Sequence, residues 1–473
     1  MVYKRASIGV FPLLSKAKRR GYFSMKGKIM VTQFVTLLRE QICFSPLYLG
    51  FIAGVAIITT VALRFVQFRY FFKSWKLALG GEDKTVTKGD MTAFQAFLNA
   101  LNVGIGNGCL AGVATAIHAG GPGAAFWMFV AGILEMALRF AEVFLSVSFS
   151  TLARTKNTNV LGGPFLYIDK IPFGKVMAYI YAAACLFYGL VSGNAMQCNS
   201  ISNTVQHSTG LSAWVIAITL TAFVLYVMFG GSQRIIKISE AIIPFKVGLF
   251  FITILIVLGY YWAEIIPAFQ LIFASAFNPQ AVMGAGMGLT VRHVISMSIS
   301  RTVNACEAGL GTAAIFYGNT GSSNPRNDGI TGMLSTFMSI NVVAMLVSLA
   351  LIVSGVWNTV GADGAVLVAQ SYESVFGVAG GYIVTVLSMI FGLGVFVPYC
   401  YVTRQCWLYL TGGRFGHVFT ILFAGVACVG ALMKVALMWT LVDLAVACLL
   451  IINLTAILFL LPYLRSHLFA KNR

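Results

Sequence analysis

The residues best able to do chemistry sit in two glycine-rich polar clusters, each set inside an apolar run. The first, FQAFLNALNVGIGNGCLAGVATAIHAGGPGAAFWM, covers 94–128; the second, RTVNACEAGLGTA, covers 301–313. Glycines that interrupt a helix free main-chain carbonyls and amides, and lipid tolerates these only where they line a cavity. Two such interruptions, far apart along the chain, point to a substrate site near the bilayer midplane. A half-helix that starts after a break aims free N–H groups at an anion. Unwound carbonyls and half-helix C-termini hold an ammonium or a cation. Gly106, Gly108 and Gly112 in the first break, and Gly309 and Gly311 in the second, let a ligand approach the backbone. The competing reading is helix packing through small residues.

The elements that must position these clusters are membrane helices. The chain has 473 residues, 59% hydrophobic and 10% charged, with mean hydropathy +0.86. No soluble domain of that size has such a composition, so an all-α integral membrane protein is expected. Cys185, Cys198, Cys428 and Cys448 lie in apolar runs and read as small buried hydrophobes, with no disulfide framework or metal site. The net charge of +18 would suggest nucleic acid in a soluble protein; here the basic residues orient helices. Uncharged runs at 41–63, 176–233 (two spans), 329–362, 374–403, 415–433 and 444–464, with interrupted helices near 93–118 and 286–318 and spans near 123–149 and 241–261, give about eleven spans.

Loop charges set the orientation. Arg69, Lys73, Lys76, Lys84 and Lys88, then Arg154, Lys156, Lys170 and Lys175, then Arg234, Lys237, Arg326, Arg404, Arg414, Arg465, Lys471 and Arg473 fall on one side of an eleven-span chain. That side is the cytoplasm, so the C-terminus is inside. The basic stretch 1–44 breaks the pattern and has no signal-peptide core. A true start at Met25 or Met30 would remove the conflict; otherwise it is a basic arm.

With these motifs the chain resembles the alanine or glycine:cation symporter family, within the amino acid–polyamine–organocation superfamily. The likeness covers about 45–465. It runs through RFVQFRYF (64–71), the AGVATAI and GGPGA segments (111–124), GGP (162–164), MQCNSIS (196–202) and GGSQRIIK (230–237). It continues in LIFASAFNP and AVMGAGMG (271–288), EAGLG (307–311) and CWLYLTG (406–412). The resemblance implies a LeuT-type pair of inverted five-helix repeats. These are 93–261 and 286–464, preceded by an extra helix and linker in 45–92, joined by an extracellular connection at 262–285 and followed by a tail at 465–473. It also implies uptake of small neutral amino acids driven by a cation gradient in a bacterial plasma membrane.

The chain departs from that family where substrate and cation should bind. Asn107 and Cys109 stand where the family usually has threonine and asparagine. Asn304, Ala305 and Cys306 replace phenylalanine, serine and asparagine. A small hydroxyl pair is replaced by Gly394 and Val395, and a tryptophan by Tyr399. Sodium is a hard ion that seeks oxygen ligands, so the loss of hydroxyl and amide oxygens predicts weakened sodium binding. Lys246 stands where the family usually has methionine. An intramembrane lysine is a functional candidate, here as a tethered ammonium in place of a sodium ion; the alternative is snorkelling to the interface. The substrate set is then Gly106, Asn107, Gly108, Asn199, Asn304, Ala305, Cys306 and Tyr399. The ion site or its substitute is Cys109, Lys246, Gly394 and Val395. Asn199 otherwise makes an interhelical hydrogen bond. Glu307 is expected to accept hydrogen bonds from the unwound backbone of the first break. Glu135, Arg139 and Glu142, at i, i+4 and i+7, form a self-neutralising ladder or part of an inner gate.

The leading reading is a secondary transporter importing alanine or glycine by cation symport. Its partners are the amino acid, sodium or a proton as the coupling ion, and the lipid bilayer; no nucleic acid, cofactor or metal-ligand spacing is indicated. A proton-coupled or sodium-independent transporter with Lys246 in a former sodium site is the alternative. From another class, a non-transporting amino acid sensor is disfavoured because no output domain is appended. No catalytic grouping and no phosphate-binding glycine loop with its lysine is present, which argues against an enzyme and against ATP-driven transport. The sequence carries no signal for oligomeric state.

Overall fold

The computed structural model describes residues 41–43, 45–80, 89–154, 161–278, 290–359, 364–433 and 436–469. The basic stretch up to residue 40, with Met25 and Met30, lies outside the described residues. So do Lys84, Lys88, Lys156, Lys471, Arg473 and part of the 262–285 connection.

The described chain is helical throughout, and its one β contact is an isolated bridge between Met91 and Thr320. In chain order the main helices are α1 (Pro46–Ala62), α2 (Phe71–Leu79), α3 (Ala93–Gly104), α4 (Val113–Gly120), α5 (Gly123–Arg154), α6 (Gly174–Tyr188), α7 (Met196–Thr209), α8 (Ala213–Phe229) and α9 (Gly231–Tyr260). They continue with α10 (Ile265–Phe277), α11 (Val291–Cys306), α12 (Thr312–Gly318), α13 (Pro325–Thr336), α14 (Met345–Val353), α15 (Gly364–Phe376), α16 (Val378–Leu410), α17 (Gly416–Leu432) and α18 (Ala436–Phe469). Widened π-helical turns at Gly108–Gly112, Gly189–Ala195 and Phe337–Ala344 lead into α4, α7 and α14. Such turns leave main-chain groups displaced from the regular ladder.

Among the described residues, six helices are long and apolar enough to cross a membrane, and the bent pair Ala93–Gly104 and Gly108–Gly120 makes a seventh if taken as one span. Ala213–Phe229, Trp262–Phe277 and Gly416–Leu432 are apolar but shorter. This is a coarser result than the eleven spans expected from uncharged runs. The 32-residue α5 is not among the helices so counted.

Local sequence explains where key helices begin. Ser45 caps α1 by accepting from the Tyr48 N–H, with Pro46 in the first turn, where a missing N–H costs nothing. Thr92 and Gln95 form a reciprocal capping box at the start of α3, which fixes the entry to the first break. From Glu135 to Ser148 every residue of α5 is buried. A helix buried on all sides is a core post, and α5 packs on α13, α11, α12, α10 and α1.

At one end, the segment before α3 is latched to the segment after α12. The Asp90 N–H donates to the Asn319 carbonyl at 3.0 Å. Asn319 exchanges two hydrogen bonds with Gly162, from Gly162 N–H to Oδ1 at 2.9 Å and from Nδ2 to the Gly162 carbonyl at 2.8 Å. Arg154 donates to the carbonyls of Gly318 and Thr320. Tyr401 donates to Asp90 Oδ2 at 2.9 Å and Gln233 to the Asp90 carbonyl at 2.8 Å. A Cβ on Gly162 would collide with the Gly318 main chain, so the GGP loop needs glycine there. Replacing Asn319 by alanine removes both bonds to Gly162. At about 1 kcal/mol net per bond, amide exchange at 89–92 and 161–163 should rise on the order of tenfold, measured by hydrogen–deuterium exchange mass spectrometry. Unchanged protection in those peptides would mean that the latch is held elsewhere.

Candidate functional site

The first break spans Ile105, Gly106 and Asn107, between α3 and the turn leading to α4, and bends the pair by 46°. Its surroundings come from three helices. The Asn107 side chain donates to Gln197 Oε1 at 3.3 Å and Ser200 Oγ at 3.5 Å on α7, and accepts from Ser388 Oγ on α16 at 3.2 Å. A Cβ on Gly106 would run into Val395 of α16. One on Gly108 would lie 3.4 Å from the Asn304 carbonyl oxygen and 3.6 Å from Ala305 Cα. Beside Gly112 there is open space, with nothing within 4 Å of such an atom. The N–H groups of Gly106, Asn107 and Gly108 have no hydrogen-bond acceptor among the described residues.

On the carbonyl side of this break stands Lys246 of α9. It is 1% exposed and does not snorkel. Its ammonium donates to the Asn102 carbonyl at 2.6 Å and to Asn102 Oδ1 at 2.7 Å. It also lies 5.3 Å from the centre of the Phe391 ring, a cation–π distance. Asn102 Nδ2 is anchored in turn on the carbonyl and hydroxyl of Ser239, at 3.1 and 3.0 Å. A Cβ on Gly394 would sit 2.6 Å from Lys246 Nζ and 2.6 Å from Asn102 Oδ1. Lys246, Gly394 and Val395, separated by up to 149 positions in sequence, therefore converge on one end of the first break. Cys109 closes the same turn, its thiol donating to the Gly104 carbonyl at 3.0 Å.

The second break, Glu307–Gly311, lies between α11 and α12, and protein groups fill it. Glu307, Gly309 and Gly311 have φ of 57°, 82° and 83°; only glycine adopts such values without strain. Glu142 of α5 accepts from the N–H groups of Gly309 and Gly311 at 3.1 and 3.0 Å. Arg139 binds Glu142 at 2.6 Å and donates to the Cys306 carbonyl and to Thr336 Oγ1. The Leu310 carbonyl accepts from Tyr181 at 2.6 Å, and the Gly309 carbonyl from Asn453 at 2.8 Å. The two glycine amides expected to meet a ligand are thus already satisfied by an internal carboxylate.

Several side chains differ from expectation. Glu307 takes its hydrogen bonds from Tyr188 (2.9 Å), Tyr399 (2.6 and 2.7 Å) and Thr312 (2.8 Å), and none from the first break, because its left-handed backbone turns it toward α6 and α16. Those bonds engage the Tyr399 hydroxyl. Asn199 faces α17, donating to the carbonyls of Gly430 and Met433 at 3.0 and 2.5 Å; the face of α7 toward the break carries Gln197 and Ser200. Asn304 presents its carbonyl to Gly108 and also lines a crevice with Tyr48, Ser300 and Asp443. The Cys306 thiol donates to Glu135 Oε2 at 2.8 Å. The charge ladder is half formed: Arg139 pairs with Glu142, while Glu135 turns to Cys306. Asn102, Ser200, Ser388 and Tyr188 were not singled out from sequence, although a polar residue inside an apolar run is the available signal.

Removing one partner of a buried ion pair strands the other. Arg139→Met should therefore cost about 3–5 kcal/mol, seen as a lower melting temperature in detergent, while Glu142→Gln, which keeps an acceptor oxygen for a glycine amide, should cost less. Equal melting of Arg139→Met and wild type would show that the pair carries no structural role.

Comparison with known proteins adds what geometry alone does not. Residues 28–470 match the model of the sodium:alanine symporter family. The sodium/alanine symporter AgcS of Methanococcus maripaludis is 32% identical over 448 residues, 93% of this chain and 97% of that protein. An uncharacterized transporter of Haemophilus influenzae is 31% identical over 415 residues, covering 86% and 89%. A putative sodium/proton-dependent alanine carrier protein, YrbD of Bacillus subtilis, is 27% identical over 453 residues, covering 91% and 90%. A multi-pass helical protein with a broken helix, matched almost end to end by these transporters, belongs to the sodium:alanine symporter family and so to cation-coupled amino acid transport.

Proposed function

We propose that this protein imports glycine or alanine, the latter as either enantiomer, by alternating access around its two broken helices. What carries the reading is the contrast between the breaks. The amides of Gly106, Asn107 and Gly108 have no acceptor among the described residues, whereas those of Gly309 and Gly311 are taken by Glu142. A substrate carboxylate is an acceptor for the first set, and the nearby carbonyls of Asn304 and the unwound turn suit an ammonium. The setting is a bacterial plasma membrane, with inverted repeats at 93–261 and 286–464 and a cytoplasmic C-terminus. The test is uptake of labelled alanine and glycine into proteoliposomes. Gly108→Leu, which drives a side chain toward the Asn304 carbonyl, should abolish binding while leaving the protein folded. Binding without uptake by the wild type would favour a sensor instead.

For the coupling ion, sodium follows from the family and from the name of AgcS. One observation favours a second reading. The Lys246 ammonium is bound by two oxygens of Asn102, against a glycine at a position where a hydroxyl is usual in the family. A fixed ammonium there takes the place of a hard cation. Gly394→Ser alone would crowd Nζ, so it should lower uptake. Combined with Lys246→Met and Val395→Thr it should restore uptake and raise sodium stimulation. That non-additivity is the signature of groups in contact. Steep sodium dependence in the wild type, unchanged by Lys246→Met, would return the coupling to ordinary sodium symport.

A further inference from the structure

Two buried oxygens beside the second break have no donor. Glu135, in the middle of α5, is 2% exposed, and Asn341, in the π-helical turn before α14, is 6% exposed. Glu135 Oε2 accepts the Cys306 thiol at 2.8 Å, but Oε1 has no hydrogen-bond partner. Asn341 Nδ2 donates to the Phe129 carbonyl at 2.8 Å, but Oδ1 has no partner either. That oxygen faces α5, 2.8 Å from where a Cβ on Gly132 would lie. Glu135 follows Gly132 by three residues, one turn along the same face. Both orphans are acceptors, so what completes them brings positive charge or a donor.

The surrounding groups do not supply it. Arg139, one turn further on α5, is committed to Glu142, the Cys306 carbonyl and Thr336. Glu142 adds negative charge. Helix α11 brings Arg301, five residues before Cys306 and so about 140° around the helix from it, the Cys306 thiol, already used, and Glu307, which is bound by Tyr188, Tyr399 and Thr312. The turn Phe337–Ala344 and α10 contain no titratable residue. On α13, Asp328 lies further along, next to Gly329, which abuts Phe140. Tyr48 of α1 and Asp443 of α18 line the crevice beside Asn304. A carboxylate with one bare oxygen in a dry interior is costly. A hard metal ion seeks about six oxygens, and two orphans plus a thiol do not provide them. One proton on one oxygen is enough.

We propose that Glu135 is the proton-carrying site of the transport cycle, taking up one proton on Oε1 beside Asn341 and releasing it when the second break rearranges. The step is protonation of a carboxylate and its reversal, with water on either side as donor and acceptor. It rests on the transport reading above, and it assigns the coupling proton to a residue that lies apart from Lys246.

The test uses the full-length wild type, Glu135→Gln and Asn341→Leu, each checked by thermal melting. Infrared spectra in nanodiscs should contain a deuterium-sensitive carboxylic-acid carbonyl band in the wild type that is lost in Glu135→Gln; an identical band in both overturns the proposal. In proteoliposomes, an inward proton gradient should raise alanine accumulation by the wild type about tenfold, and Glu135→Gln should lose that gain together with the dependence of uptake on pH. Asn341→Leu, which removes the neighbouring acceptor, should shift the pH midpoint without removing the band. Wild-type exchange of alanine that is indifferent to a proton gradient overturns the proton site and leaves the transport reading intact. Absence of any alanine exchange by the wild type defeats the transport reading, and the infrared band then decides the proton site alone. Should Glu135→Gln fail to fold, an unshifted pH midpoint in Asn341→Leu overturns the proposal.

Discussion

The Arg139–Glu142 ion pair, buried within α5, is the interaction on which the rest of the structure depends. Its two charges are 2.6 Å apart and 2% and 0% exposed. A pair of that kind is tolerated only when its remaining hydrogen-bonding positions are filled. They are filled by the second break: Gly309 and Gly311 donate to Glu142, and the Cys306 carbonyl accepts from Arg139. The pair thus exchanges the solvent it has lost for main-chain groups that a broken helix leaves over. Each side resolves the other's deficit, and α11 and α12 are held to the central post of the fold.

This arrangement divides labour between the two breaks. In the second, the Gly309 and Gly311 amides and the Glu307 carboxylate are satisfied from within the protein, the carboxylate by two tyrosines and a threonine. The first keeps open amides on one side and carries a lysine on the other. An ammonium bound by a carbonyl and an amide oxygen is what a half-helix C-terminus accommodates best, and Gly394 leaves the room for it. Beyond them, the Asp90, Asn319 and Gly162 contacts tie the outer ends of both broken helices together. Movement of either break must therefore be felt at that latch.

Much of this was legible in the residues. The glycine clusters located both breaks, because glycine is the residue that tolerates the φ values found at Gly309 and Gly311. The departures at Lys246, Gly394 and Val395 pointed to one place, and the structure brings the three together. Helix rotation was not legible. In α7, Asn199 and Gln197 both lie in polar sequence, and no amphipathic stripe says which faces the break. Nor were the distant partners of Glu142 and Glu307 readable: Gly309, Gly311 and Asn453 for the first, and Tyr188 and Tyr399 for the second, lie 92 to 311 positions away. The i, i+4, i+7 spacing allowed Arg139 to pair with either glutamate; only the Cys306 carbonyl and Thr336, reached across the fold, decide for Glu142.

The central claim is that the first break receives the amino acid while the second is sealed by α5. The most direct measurement is a high-resolution electron cryomicroscopy map of the protein with saturating alanine. The account predicts the carboxylate on the amides of Gly106, Asn107 and Gly108, with Glu142 still bound to Gly309 and Gly311. An alanine carboxylate seated on the Gly309 and Gly311 amides, with Glu142 displaced, would contradict it.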